Sequence, residues 1–496
     1  MQENTNRAIA YNSIILYAKM VINTICVLLT TRFALQALGV IDYGLFTVLG
    51  GIISFIGIFN TIMVSTSNRF IAVAIGKGDI KDANNQFNVN FIVHVTIAVL
   101  VLIVAYPLGI WYIPRYVNYD GPLVNAMMVY VVSIVGSVIS FVGVPYNGLL
   151  MAKERFIVFS VVDVVVHIVK LVVVWLLIYY CEHKLFIYTL TMSVLTAAPT
   201  LVYVVYCSHH YYEVVRLHFV RDRRMYKNVF GFSAWVSVGA VSSVARNQGA
   251  ALVVNAFFDT VMNAAMGVAT SINAYVGLFA QNVIQPMAPQ ITKSYAAGNS
   301  ERTDELLIMS VKYSFMLTFL IGAILIVSPE WLLSLWLDEV PPFASLFLVL
   351  LVVDNIVWSL NGGVSNLLFA SGKISVYQAL TSILRVLSIV TAYFVLKAGT
   401  PAYYLTITYI VFSIITFFAI QYALHHSMNY DNSILWKKSY IPSLLTVVLF
   451  LPVFLLPDSF HPALKIVIAF VYLCALEWFI CLTKNERRRL IAFWGE

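Results

Sequence analysis

Apolar runs of about 20 residues, the length of helix that crosses a ~30 Å hydrocarbon core, recur along this chain with short polar turns between them. Fourteen can be drawn, at 9 to 31, 44 to 66, 88 to 111, 122 to 146, 157 to 180, 185 to 207, 229 to 255, 262 to 286, 306 to 327, 343 to 368, 374 to 397, 401 to 423, 439 to 457 and 466 to 483. Lipid offers no water to backbone N–H and C=O groups, so runs of this length are helices, which satisfy those groups internally. The pattern therefore predicts an all-α integral membrane protein with about fourteen transmembrane helices and no separate soluble domain. The first run is longer than a secretory signal core and lacks a small-residue cleavage site, so it reads as an anchor that stays in the protein.

One run departs from plain hydrophobicity. Phe159 to Tyr180 carries Asp163, His167 and Lys170, whose spacing of i, i+4 and i+7 puts all three on one helical face. A charge at the centre of a lipid-facing helix costs roughly 2.5 to 3.5 kcal/mol on insertion scales, so this face is expected to look into a helix bundle or a wet cavity.

The runs also repeat. Asn147 to Phe156 (NGLLMAKERF) matches Ser365 to Ile374 (SNLLFASGKI) at an offset of 218 residues, and Arg69 to Asp79 (RFIAVAIGKGD) matches Pro289 to Asn299 (PQITKSYAAGN) at 220. Each half then holds six spans, an even number, so both halves begin on the same side of the membrane and the repeat is parallel. The expected organisation is an N-lobe at 1–207 with helices 1–6, a basic cytoplasmic linker at 208–228, a C-lobe at 229–423 with helices 7–12, and helices 13–14 with a cytoplasmic tail at 424–496. The offset aligns Gly143, Val144 and Pro145 with Asn361, Gly362 and Gly363. Gly143, Pro145, Gly362 and Gly363 are therefore candidate hinges, with close packing through small residues as the other reading.

Composition agrees with the pattern: of 496 residues 61% are hydrophobic and 11% charged, against about 25% charged in soluble domains. The net charge of +7 would suit a nucleic-acid binder, but topology accounts for it better. With the amino terminus inside, twenty of the thirty Lys and Arg fall in cytoplasmic segments, and the outer side holds only Arg32, Arg115, Lys184, Lys397 and Lys465. That bias places both termini in the cytoplasm. The linker, with Arg216, Arg221, Arg223, Arg224 and Lys227, and the tail with Lys484, Arg487, Arg488 and Arg489 either follow from this bias or attract anionic lipid head groups. The five cysteines have no metal-ligand spacing and imply neither a disulfide framework nor a zinc site. No P-loop is present, and no cofactor is expected.

Leu38-Gly39, Asp42-Tyr43-Gly44-Leu45-Phe46, Gly76-Lys77-Gly78-Asp79, and Gly148-Leu149-Leu150 with Ala152, Glu154 and Phe156, in this order and in a six, six and two arrangement of spans, resemble the polysaccharide and O-antigen flippases of the multidrug, oligosaccharidyl-lipid and polysaccharide exporter superfamily. The resemblance covers essentially the whole chain. It implies two six-helix lobes facing a central, often cationic cavity, and alternating-access export of undecaprenyl-pyrophosphate-linked sugars across a bacterial inner membrane. The implied partners are the lipid-linked oligosaccharide, membrane lipids and glycan-assembly proteins, with no nucleic acid and no enzymatic activity.

Within the spans stand the bases Lys19, Lys170, Arg246, Lys312 and Arg385, with His94 and His167, against the acids Asp163, Asp354 and Glu477. Guanidinium forks match phosphate oxygens and lysine acts as a point charge, so Arg246, Arg385, Lys170 and Lys19 are candidate head-group contacts. Asn247 and Gln248 are candidates for sugar hydroxyls. Asp163, His167 and Asp354 are either ion-coupling groups or counter-ions of their neighbours. Two rival readings stand beside the flippase: a drug or cation antiporter of the same superfamily, for which acids should dominate, and a membrane glycosyltransferase or polymerase, for which a sizeable outer loop is expected.

Overall fold

A computed structural model describes residues 2–116, 122–258, 260–335, 340–457 and 459–488, and for residues 2–10, 51–59 and single positions such as Gln248 the backbone alone. The described residues are helical, with no strand among them. The long helices are α1 (Gln2–Gly76), α2 (Ile80–Tyr116), α3 (Leu123–Ala152), α4 (Phe156–Tyr180) and α5 (Lys184–His210). After the single turn α6 (Tyr212–Val215) come α7 (Arg223–Phe257), α8 (Thr260–Ala296), α9 (Ser300–Val327), the short α10 (Pro329–Ser334), α11 (Ala344–Ser359), α12 (Val364–Ser371), α13 (Ser375–Lys397) and α14 (Tyr404–Met428). The last part holds α15 (Ser433–Leu435), α16 (Ile441–Phe450) and α17 (Pro462–Leu476), joined by π and 3-10 turns.

Eleven described helices are long and apolar enough to cross a membrane, or twelve if α11 and α12, bent by 44° at their junction, form one span. The described residues therefore do not confirm the expected count of about fourteen. The second and eighth expected spans lie in helix, inside α1 and α8, but both include positions whose side chains lie outside the described residues. In α1 the helix breaks at Gly39, whose φ of 76° and ψ of 174° belong to a region that is essentially Gly-only.

The chain divides into two compact units, one from Ala8 to Ser237 and the other from Val238 onward. The division falls inside α7, downstream of the basic segment 208–228. In the first unit, α3 and α5 run closely together because small residues meet there: a Cβ on Gly136 would lie 2.8 Å from the Ser193 carbonyl oxygen, and one on Gly143 would overlap Thr200 Oγ1. The basic segment does not hang free of this unit. Val214, Val215 and Val220 are buried, and Asn84 of α2 donates to the carbonyls of Val214 (2.7 Å) and Arg216 (2.9 Å). In the second unit α9 is half buried and packs against α8, α11 and the α17 region.

The repeated sequences fold into repeated turns. Gly78 and Gly298, 220 residues apart, both adopt positive φ (75° and 72°). Asp79 N–H bonds Ala74 O and Asn299 N–H bonds Ser294 O, and the same two side chains cap the next helices at Asp82 N (2.8 Å) and Arg302 N (3.0 Å). Glu154 (φ 59°) and Gly372 (φ 76°) are likewise equivalent at an offset of 218. These are helix C-terminal turns that need a left-handed residue; glycine fills three of the four positions and Glu154 the fourth.

The candidate hinges behave unequally. Gly362 and Gly363 sit at the break between α11 and α12, where Gly363 has φ +78°. Gly143 and Pro145 lie inside an unbroken α3, so the expected pair of interruptions is present in one copy only. In α3 the close approach of α5 accounts for Gly143.

Candidate functional site

Each unit gathers part of the intramembrane charge. In the first, α4 exposes Val161, Val165, Ile168, Val172 and Leu176, which share one stripe at helical spacing. Asp163, His167 and Lys170 occupy the opposite face, against α1. Lys19 Nζ lies 3.1 Å from Asp163 Oδ2, and Asn23 Nδ2 donates to the same oxygen at 2.7 Å. Lys19 also stands over the Phe159 ring, 4.1 Å from its centroid. His167 Nδ1 is 2.8 Å from the Asp163 carbonyl oxygen and 3.7 Å from Asp163 Oδ1, so a proton on Nδ1 points back along its own helix. Lys170 lies within the electrostatic field of Asp163 but has no ion-pair or hydrogen-bond partner among the described residues. Lys19 and Asn23, one turn apart on α1, are thus the partners of Asp163; only Lys19 stood out in the sequence, since a lone Asn in a span carries no charge signal.

In the second unit, Arg246 of α7 meets Asp354 of α11. Its Nη2 lies 3.0 Å from both carboxylate oxygens and reaches Ser413 Oγ and the Tyr409 carbonyl at 3.4 Å. Ser413 Oγ donates to Asp354 Oδ1 at 2.5 Å. The Tyr409 hydroxyl donates to the Arg246 carbonyl at 2.8 Å, with its ring 4.3 Å from the guanidinium carbon. The pair is nearly enclosed, with side chains 14% and 12% exposed. Asp354 thereby has a partner that sequence reading could not name, and Tyr409 and Ser413 of α14 join the site with no sequence signal beyond being polar in a span.

Arg385 of α13 is held differently. At Gly239 the Gln378 side chain of α13 lies so close to α7 that a Cβ there would overlap it, and Arg385 Nη1 donates to the carbonyl of buried Gly239 at 3.1 Å. Its guanidinium carbon lies 4.8 Å from the Trp358 ring centroid, within the field of Arg246. No carboxylate pairs with it among the described residues. The carbonyl and the indole face are weak counter-charges, since cation–π contacts contribute about 0.5 to 2 kcal/mol.

The remaining candidates are placed outside these clusters. Asn247 is exposed, and the Gln248 side chain lies outside the described residues. Asn273 of α8, a further polar residue within a span, accepts from Asn355 Nδ2 at 3.2 Å through both its backbone and side-chain oxygens, a bond that ties α8 to α11. Lys312, 1% exposed, is paired with Glu486 beyond the last span, at 2.8 and 2.9 Å. His94 is buried and bonded to the Asn90 carbonyl. Among the described residues no group of His, Cys, Asp and Glu could hold a metal ion, and all five cysteines are free.

No family model and no curated protein matches the chain, but solved structures do. A crystal structure of a mutant MATE protein superposes with a TM-score of 0.75 at 16% identity, covering 87% of this chain and 97% of its own. A mutant MATE transporter from Vibrio cholerae gives 0.72 at 14%, over 87% of this chain and all of that one. A transporter of the MOP superfamily from Pyrococcus furiosus gives 0.71 at 14%, over 84% and 95%, and is described as having a binding pocket of reversed polarity that suggests a different function. At this identity the likeness shows the fold: the chain has the helical architecture of these transporters.

Proposed function

We propose that the protein is a flippase that moves an undecaprenyl-pyrophosphate-linked oligosaccharide from the cytoplasmic to the periplasmic leaflet of a bacterial inner membrane, by alternating access and with both termini in the cytoplasm. The reading rests on one observation. Lys19, Arg246 and Lys312 each have a carboxylate partner, whereas Lys170 of α4 and Arg385 of α13 have none among the described residues. These two helices are equivalent under the 218-residue repeat, so each unit keeps one intramembrane cation in reserve.

Such a charge is expensive to hold in a span, and an anion that arrives with the substrate would offset the cost. Arg385 suits a phosphate through its planar fork of donors, and Lys170 adds a compact charge. Asp163, held by Lys19 and Asn23, serves better as a counter-ion than as a coupling site. A negative head group moving outward across an inside-negative membrane gains roughly 2.3 kcal/mol per charge per 100 mV. The fold supports transport as the general activity, and the polarity of the charges favours an anionic cargo over the cationic drugs that an acid-rich site would take.

Lys170→Ala and Arg385→Ala variants, present at wild-type levels in the membrane, are expected to lose about ten-fold or more of flipping of pyrophosphate-linked glycan in reconstituted vesicles, the scale of one charge-assisted hydrogen bond. Arg385→Lys should keep part of the activity. Full flipping by both alanine variants, or drug resistance conferred by the wild type, would overturn the proposal.

A further inference from the structure

The basic segment between α6 and α7 does something that neither charge topology nor transport requires. From Arg216 to Asp222 the chain forms neither helix nor strand, and the side chains of His218 and Val220 tie it to the protein. It is pinned to α2: His218 N–H donates to Asn88 Oδ1 at 2.9 Å, its ring lies 2.9 Å from Asn85 Oδ1 and 3.1 Å from Asn88 Nδ2, and Val220 is buried beside Val89, Val93 and Val229. The Tyr226 hydroxyl donates to the Val220 carbonyl at 2.9 Å. Between and beside these held residues, Leu217 is 57% exposed and Phe219 71% exposed.

Two large apolar side chains this exposed are unusual on a water-facing loop. Around them stand exposed Arg216, Arg221, Arg223 and Arg224, with Lys227 next in the chain, against the acids Glu213 and Asp222. The anchoring residues Asn84 to Asn88 lie where α2 passes from its polar first turns to its apolar run, a change that in a spanning helix marks the level of the lipid head groups. Apolar tips ringed by arginine at that depth match an anionic lipid surface in both chemistry and position.

We propose that segment 216–224 is a membrane-surface anchor: Leu217 and Phe219 enter the head-group layer, and the surrounding arginines hold anionic phospholipids. The anchor fixes the start of α7 against the bilayer, because Arg223 and Arg224 open that helix.

The test uses the full-length protein, with its five natural cysteines replaced and a single spin-labelled cysteine from Phe219→Cys, Leu217→Cys or Asp222→Cys. Each form is reconstituted in vesicles of phosphatidylethanolamine with phosphatidylglycerol, or of phosphatidylcholine alone. Labels at 217 and 219 are expected to be shielded several-fold from a water-soluble nickel complex and open to oxygen, relative to 222. The shielding should fall in phosphatidylcholine and when Arg221→Gln, Arg223→Gln and Arg224→Gln are combined. Equal nickel access at 219 and 222 would place the segment in water and sink the idea. Shielding that persists in phosphatidylcholine and without the arginines would assign Leu217 and Phe219 to a protein neighbour instead, and would equally overturn it.

Discussion

At the scale of single residues, the decisive quantity is whether a charge in a span has a partner. Arg246 and Asp354 are 108 residues apart, and each is sustained by the other. Removing one partner of an enclosed pair leaves a stranded charge, which typically costs about 3 to 5 kcal/mol. Asp354→Asn should therefore lower the thermal unfolding temperature of the detergent-solubilised protein by an amount equivalent to about 3 kcal/mol, and Arg246→Leu combined with Asp354→Leu should recover most of it. A change below about 1 kcal/mol in the single variant would argue that the pair is not structural. The sequence shows which residues are charged within apolar runs, because eleven percent charge in such a chain makes each one conspicuous. It does not show who pairs with whom: Lys19 with Asp163 and Arg246 with Asp354 depend on which helices become neighbours, and nothing local encodes that.

Elements were more legible than pairs. A run of apolar residues bounded by Gly, Pro or charges states its own helix, and the two glycines at 362 and 363 state the break between α11 and α12. Pro145 misleads by the same logic, since membrane helices tolerate proline when their neighbours support the freed backbone groups, and α3 passes through it intact. Gly143 is explained by the approach of α5 rather than by bending. Gly143→Ala should then destabilise the protein by about 1 to 3 kcal/mol through overpacking, and Thr200→Ala, which removes Oγ1 at 2.3 Å from the new Cβ and leaves the Thr200 Cβ at 2.9 Å, should restore part of it. A hinge would show no such rescue. The measurement is thermal unfolding of the single and double variants.

At the scale of the whole molecule, two repeats could be recognised from sequence because left-handed turns at Gly78, Gly298 and Gly372 leave few residue choices, whereas lipid-facing positions accept any apolar side chain and keep no trace of common descent. The last helices are tied to the second unit by Lys312 and Glu486. Burial raises the affinity of the Glu486 carboxyl for a proton, but the Lys312 ammonium and the bonds from Thr483 outweigh it and hold the group below its ordinary 4.5. A depressed carboxyl contributes stability that is complete above its unfolded value and is lost as pH falls through the folded one. Docking of the tail should therefore be constant from neutral pH down to about 5 and weaken below 4.5, a dependence that Glu486→Gln should abolish in proteolysis of the tail followed against pH.

The same pair has a consequence for how the protein is made. Glu486 follows Lys312 by 174 residues, and at a synthesis rate of about 5 to 20 residues per second the lysine waits roughly ten to thirty-five seconds for its counter-ion. During that interval α9 carries an uncompensated ammonium at a position that becomes 1% exposed in the finished protein. The second unit cannot reach its final packing until its last helices have been inserted, so assembly of this half waits on the ribosome, and a nascent chain stalled before Glu486 would present the membrane's quality-control proteases with a helix that has not yet been sealed.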